Sequence, residues 1–158
     1  MKQPSYVHSD NPRVAPSEFP FRHCLPLQIR FSDIDMLGHL NNNVYMTFMD
    51  LAKIKYFSTV KGTPITAQDL AMVVVHIDCD FLAPTFLDDN IEVWSRVTRI
   101  SDRSLNLEQR IVDADSGEVK CIGRTVMAGY DPASATGAPL RDDWITLIED
   151  FEQHPLRK

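Results

Sequence analysis

The stretch "DIDMLGHLNNNVYMTFMDLAKIKYF", residues 33–57, decides the fold because its pattern changes part-way along. Up to Gly38 it is polar and irregular. Beyond Asn43, Val44, Phe48, Leu51 and Ile54 form one series and Tyr45, Met49, Ala52 and Tyr56 another, each with spacings of three and four. That is the period of a helix with an apolar stripe. With no proline before Pro64, the pattern predicts a helix of about five turns from Asn42 or Asn43 to near Val60, with Gly62 as its stop.

On either side of this helix the period becomes that of strands. In "LPLQIRF" (25–31), Leu25, Leu27, Ile29 and Phe31 alternate with Pro26, Gln28 and Arg30, as in a half-buried strand that stops at "SDID". "LAMVVVHIDCDFL" (70–82) is read as a strand with Val73, Val75, Ile77, Cys79 and Phe81 on one face and Val74, His76, Asp78 and Asp80 on the other. "NIEVWSRVTRI" (90–100), "SLNLEQRIVDA" (104–114) and "EVKCIGRTVMAGY" (118–130) are joined by "SDR" and "DSG", short connections of hairpin type. Trp144, Leu147, Ile148 and Phe151 in "RDDWITLIEDF" (141–151) predict a short terminal helix.

The order strand, long helix, antiparallel strands predicts an α+β fold in which one sheet curls around one helix. Residues 1–22 read as a flexible, polar N-terminal arm, 23–135 as the domain proper, and 136–158 as a C-terminal extension carrying the short helix. A sheet with a helix on one face leaves its other face partly uncovered, and a second copy is the expected cover. A homodimer or homotetramer follows.

Composition narrows the function. The 158 residues suffice for one ordinary domain, and the net charge of −6 disfavours a phosphate backbone as partner. Nucleic acid is therefore not expected. No apolar run approaches the ~20 residues of a membrane-spanning helix, and the first twenty residues lack the core of a signal peptide. Cys24, Cys79 and Cys121 have neither CxxC spacing nor an even count, which fits a reducing compartment and packing roles rather than disulfides or a zinc ribbon. A cytoplasmic protein is expected, without membrane insertion.

The polar part of the opening stretch can carry chemistry. Were the strand to persist, Asp33 and Asp35 would lie on one side roughly 7 Å apart, close enough for each to raise the other's pKa. His39 follows through the Gly38 turn and can move a proton in the same pocket. The helix that begins at Asn42 or Asn43 aims unsatisfied N–H groups at this loop, a ready site for polarising a carbonyl. A carboxylate plus such donors suits hydrolysis of an activated carbonyl. A thioester fits better than an amide, because a thiol of pKa ~8.5 leaves without strong acid assistance. The competing readings are structural: Asn41, Asn42 and Asn43 are helix-capping residue types, Asp33 can simply close a turn, and Asp50 can pair with Lys53 or Lys55. His76, Asp78 and Asp80 could ligate a metal, but a solvated or dimer-facing strand side explains them more simply. No metal or other cofactor is expected.

The same residues carry a family resemblance. "FSDIDMLGHLNNNVYMTFMDLAKIKYF" resembles the opening motif of hotdog-fold thioesterases of the 4-hydroxybenzoyl-CoA thioesterase type, D-x-D-x-x-G-[HI]-V-[NY]-[NH]-x-x-Y before a helix carrying an acidic residue. "IDCDFLAPTFLDDNIEV" resembles the family's next element, with Pro84 and Asp89 matching and Asp88 in place of the usual Gly, and "DADSGEVKCIGRTVMAGYDPASATGAPL" its last hairpin and exit. The resemblance implies a hotdog fold, an antiparallel sheet wrapped around one long central helix. It also implies an acyl-CoA thioesterase that releases a carboxylic acid and free CoA. By the same resemblance Asp35 is the catalytic carboxylate, His39 belongs to the active site, and Asn42 marks the helix amides that face the thioester. Asn41, Asn43 and Tyr45 complete the substrate-binding candidates, and the site is expected at a dimer interface. Arg96, Arg99, Arg103 and Lys120 are candidates for holding the CoA nucleotide. Acyl carrier protein thioesterase activity and a non-catalytic acyl-thioester-binding hotdog are the alternatives.

Overall fold

The computed structural model describes residues 2–157. Among these residues the chain forms β1 (His23–Leu27), α1 (Asn42–Lys61), α2 (Ala67–Leu70), β2 (Met72–Phe81), β3 (Ile91–Ile100), β4 (Ser104–Asp113), β5 (Val119–Asp131), β6 (Thr136–Gly137) and α3 (Asp142–Glu152). The sheet is antiparallel at every pairing, in the order β1-β3-β4-β5-β2, with the two-residue β6 on β5. The hairpins β3–β4 and β4–β5 lie where their short connections predict them. Pro26 sits in β1, an edge strand, where a missing N–H does least harm to the ladder. The first strand is shorter than its alternation implied, because Phe31–Asp33 turns into a single 3₁₀ turn.

Helix α1 starts and stops as its sequence dictates. Asn41 is the N-cap and its side chain accepts the Asn43 N–H, while Gly62 ends the helix in the left-handed conformation at φ 84°, which glycine adopts at no steric cost. Tyr45, Phe48, Met49, Ala52, Tyr56, Phe57 and Val60 form its buried stripe. Leu51 and Ile54, expected in that stripe, are instead 44% exposed. The first half of the stripe packs on Ile91, Val93, Ile111 and Cys121. The second half packs on Val97, Ile100, Leu105 and Met127, together with Trp144, Ile145 and Ile148 of α3. Each fully buried side chain of this size contributes about 1.5–3 kcal/mol. Gln109 pins the middle of the helix to the sheet by donating to the Met49 carbonyl at 2.9 Å and to Ser95 Oγ at 3.0 Å.

The register of β2 on β5 shifts between Val74 and His76, so a bulge changes which side chains share a face. Val74, Ile77, Cys79 and Phe81 stand opposite Met127, Thr125, Gly123 and Cys121 on the helix side, and Val73 falls on the other face with His76, Asp78 and Asp80.

The N-terminal arm, expected to be flexible, packs on the outer face of the sheet. Val7, Val14 and Phe21 are buried against Trp94, Val112, Val119 and Ile122 on that face. Arg110 donates to the carbonyls of Val7 and Ala15, and Arg96 to that of Phe19. The Arg96 guanidinium lies 4.5 Å from the ring centres of both Phe19 and Phe21, a cation–π arrangement out of water. The arm is thus a packed strap, and it covers much of the face that a second copy was expected to cover.

Candidate active site

Asp33 and Asp35 do not form a carboxylate pair on one strand. The 3₁₀ turn separates their roles. Asp33 is buried; its carboxylate accepts the Arg30 N–H at 2.8 Å and the Arg30 guanidinium at 3.1 Å. Its carbonyl also accepts the Asn41 N–H at 2.9 Å. Burial acts to raise the Asp33 pKa, but the Arg30 hydrogen bonds and charge outweigh it and hold the carboxyl below its ordinary value. This side chain is a strut under the loop. Asp33→Ala leaves the Arg30 amide and guanidinium without their acceptor and is expected to destabilise the fold by about 1–3 kcal/mol, read as a lowered Tm.

Asp35 sits at the base of a tight loop. Its N–H donates to the His39 carbonyl at 2.9 Å and its own carbonyl accepts the Gly38 N–H at 3.0 Å, a closure that Gly38 permits at φ 80°. Asp35 Oδ1 accepts the Leu37 N–H at 2.9 Å, and Oδ2 accepts no hydrogen bond from the described residues. The main chain therefore holds Asp35 and His39 side by side. The His39 ring stands edge-on to Phe86, with centroids 5.2 Å apart.

One residue further on, the loop enters α1. Asn43 spends its N–H on the Asn41 side chain and Val44 on the Asn41 carbonyl. The Asn42 N–H has no acceptor among the described residues, and Asn42 faces a hollow of about 330 Å³. His39 and Tyr45 line the hollow on the helix side, and Phe81, Leu82 and Pro84 line the other. The Tyr45 hydroxyl donates to Thr85 Oγ1 at 2.8 Å in a buried contact, so the phenol itself is already engaged. His39, Asn42 and Tyr45 thus come together; Asn41 and Asn43 serve the cap, and Asp35, bonded to His39 through the main chain, does not line the hollow. The wall from Phe81 to Phe86 was missed as site material. Its only signal was a strand end with Phe81 followed by a proline.

Asp50 does pair with Lys53, at 3.2 Å. Arg96 and Lys120 are buried and committed: Lys120 bonds the Pro84 carbonyl, Glu118 and Asp89. Of the four cations considered for a CoA nucleotide, only Arg99 and Arg103 are exposed. His76, Asp78 and Asp80 do share one face, where Arg124 bonds both carboxylates at 2.8 and 3.1 Å. Burial pushes the Cys24 thiol up to about 12 and raises that of Cys121 as well, the state of unreactive packing residues.

A curled antiparallel sheet closed on one long helix, with a hollow at the N-terminus of that helix, defines a hotdog domain. Residues 29–147 match the thioesterase-like superfamily, and the chain belongs to it. A thioesterase of Thermus thermophilus, whose crystal structure holds coenzyme A and Zn, is 30% identical with a TM-score of 0.76, over 84% of this chain and 96% of that one. The acyl-CoA thioester hydrolase YbgC of Escherichia coli is 28% identical over 58% of this chain and 69% of its own. The long-chain acyl-CoA thioesterase FadM of Escherichia coli is 27% identical over 59% and 71%.

Proposed function

We propose that the chain hydrolyses acyl-CoA thioesters to a carboxylic acid and free CoA, using the loop 35–39 and the first turn of α1. One observation carries this reading: Asn42, whose N–H has no acceptor among the described residues, lines the hollow together with His39, to which Asp35 is bonded through the main chain. A thioester carbonyl placed there receives an N–H donor at the positive end of a twenty-residue helix, where developing negative charge is stabilised. Asp35 does not line the hollow, so it acts from beside His39 through Oδ2, which accepts no hydrogen bond from the described residues, by activating a water that attacks the carbonyl carbon. His39 orients groups or moves a proton, and the C–S bond breaks to release the thiolate, which needs little acid assistance. Named acyl-CoA thioester hydrolases among its relatives support the substrate class.

Assembly belongs to the same proposal. Strand β2 is a ten-residue sheet edge with Val73, Val74 and Val75 exposed, an edge that soluble proteins normally cover. A second copy pairing edge to edge about a twofold axis covers it with an isologous contact. Antiparallel pairing sets the Met72 end of one strand beside the Phe81 end of the other. The apolar pocket lined by Ile54, Leu70, Met72 and Tyr130, about 330 Å³ in volume, then lies across the twofold from the hollow and suits an acyl chain. Among the described residues no helix is long and apolar enough to cross a membrane.

Thiol release measured over a series of acyl-CoA chain lengths, alongside light scattering for mass, tests both parts. The expected result is turnover with a preference for acyl groups that fill the apolar pocket, by a particle of at least twice the 18.0 kDa chain mass. Equal rates on every chain length by a monomer would contradict the shared pocket.

A further inference from the structure

Leu82, Ala83 and Pro84, which begin segment 82–89, line the far side of the hollow, and the attachments of that segment are lopsided. Lys120 ties it to β5: the Leu82 and Ala83 N–H groups donate to the Lys120 carbonyl, Lys120 Nζ donates to the Pro84 carbonyl, and the Phe86 N–H closes the segment on its own Asp89. On the side facing the site, the hydrogen bonds run through Thr85. Its carbonyl accepts the Leu40 N–H at 2.7 Å, and its hydroxyl accepts the Tyr45 phenol at 2.8 Å. Thr85 has no exposed surface, so water does not substitute for either bond.

Those two bonds run to the two parts of the site that have to agree in position. Leu40 follows His39 in the chain, and Tyr45 stands in the first turn of α1, three residues after the Asn42 amide. Phe86, next to Thr85, is the side chain whose ring meets His39 edge-on. A shift at Thr85 therefore moves the wall relative to the histidine and the helix amide together.

We propose that Thr85 is a positioning residue of this site, setting the distance between the wall and the two groups, His39 and the Asn42 amide, that face a bound thioester. It touches neither substrate nor reacting atoms. It acts through Tyr45 and Leu40. The proposal rests on the thioesterase reading for its kinetic consequence but not for its structural one. Valine at 85 keeps the volume and the backbone carbonyl and removes only the hydroxyl acceptor, whereas serine keeps the hydroxyl.

The test uses the full chain with Thr85→Val and Thr85→Ser, measuring kcat and KM on an acyl-CoA, the Tm, and the His39 ring resonances by NMR. Displacing reacting groups by about 1 Å can cost on the order of 10²-fold in rate. Thr85→Val is accordingly expected to lower kcat by about tenfold or more. In the same variant KM should stay within about twofold and the His39 resonances should shift; Thr85→Ser is expected to restore both. A Thr85→Val enzyme with unchanged kcat and unchanged His39 resonances would overturn the proposal. So would a rate loss that merely follows a lowered Tm and is not rescued by serine. If the wild type releases no thiol from any acyl-CoA, the thioesterase reading fails, and the His39 resonances alone decide the role of Thr85.

Discussion

Asp35→Asn is expected to lower acyl-CoA hydrolysis by about 10²–10⁴-fold, the range in which a positioned acid or base contributes, while the protein stays folded. Asparagine keeps the side-chain oxygen that accepts the Leu37 N–H. The loop from Asp35 to His39 is also closed by main-chain bonds that the substitution does not touch. What disappears is the second carboxyl oxygen, Oδ2, which in the proposed mechanism takes a proton from water. KM should change little, because the Asn42 amide and the apolar lining of the hollow are unaltered. Steady-state kinetics with a thermal melt on the same sample check this. A variant that turns over at the wild-type rate removes the carboxylate from the mechanism.

Glu152→Gln is expected to change how stability depends on pH. Glu152 is buried between α3, α1 and β3: Oε1 accepts the Tyr56 hydroxyl at 2.6 Å and the Val97 N–H at 3.0 Å, and Oε2 is buried without a partner. Burial pushes its pKa up to about 7, against the downward pull of the Tyr56 and Val97 hydrogen bonds and the charges of Arg96 and Arg22. A carboxyl whose folded pKa lies above its unfolded value contributes stability that is fully present below the unfolded value of 4.5 and is lost as pH rises through about 7. The loss over that window is of order 3 kcal/mol. His23, whose ring meets Tyr56, has the opposite sense: burial lowers its pKa to about 4, so it withdraws stability as pH falls below 6.5. In the wild type the two slopes oppose each other between pH 4.5 and 6.5. Glutamine, neutral at every pH, leaves only the histidine slope. Relative to wild type the variant therefore gains about 3 kcal/mol between pH 4.5 and 8. Urea melts across that range measure the difference, and parallel curves for the two proteins would refute a buried, proton-holding Glu152.

The parts of the fold legible in the sequence are those written in local periods. Helix α1 announced its cap, its glycine stop and the Tyr45, Met49, Ala52, Tyr56 half of its stripe, and β3, β4 and β5 their alternation and tight turns. The bulge in β2 was hidden because Val73, Val74 and Val75 are alike, so nothing in the run marks where the period slips. The strap was hidden for a different reason. Its anchors join residues 77 to 103 positions apart, Arg96 to Phe19 and Arg110 to Val7, and local pattern carries no trace of such pairs. The 3₁₀ turn that parts Asp33 from Asp35 depends on a carboxylate reaching back to Arg30, a contact that spacing allows but does not require. At the site, the motif marked His39, Asn42 and Tyr45. Thr85 lies forty residues beyond Tyr45 and meets it only in the fold.

If the loop 35–39 and the Asn42 amide cleave a thioester rather than merely hold one, both products are measurable after the purified chain is incubated with an acyl-CoA. Free CoA thiol and carboxylic acid are expected in equal amounts, formed in proportion to enzyme. Acyl-CoA that binds and is recovered intact, across short, long and aromatic acyl groups, would contradict cleavage.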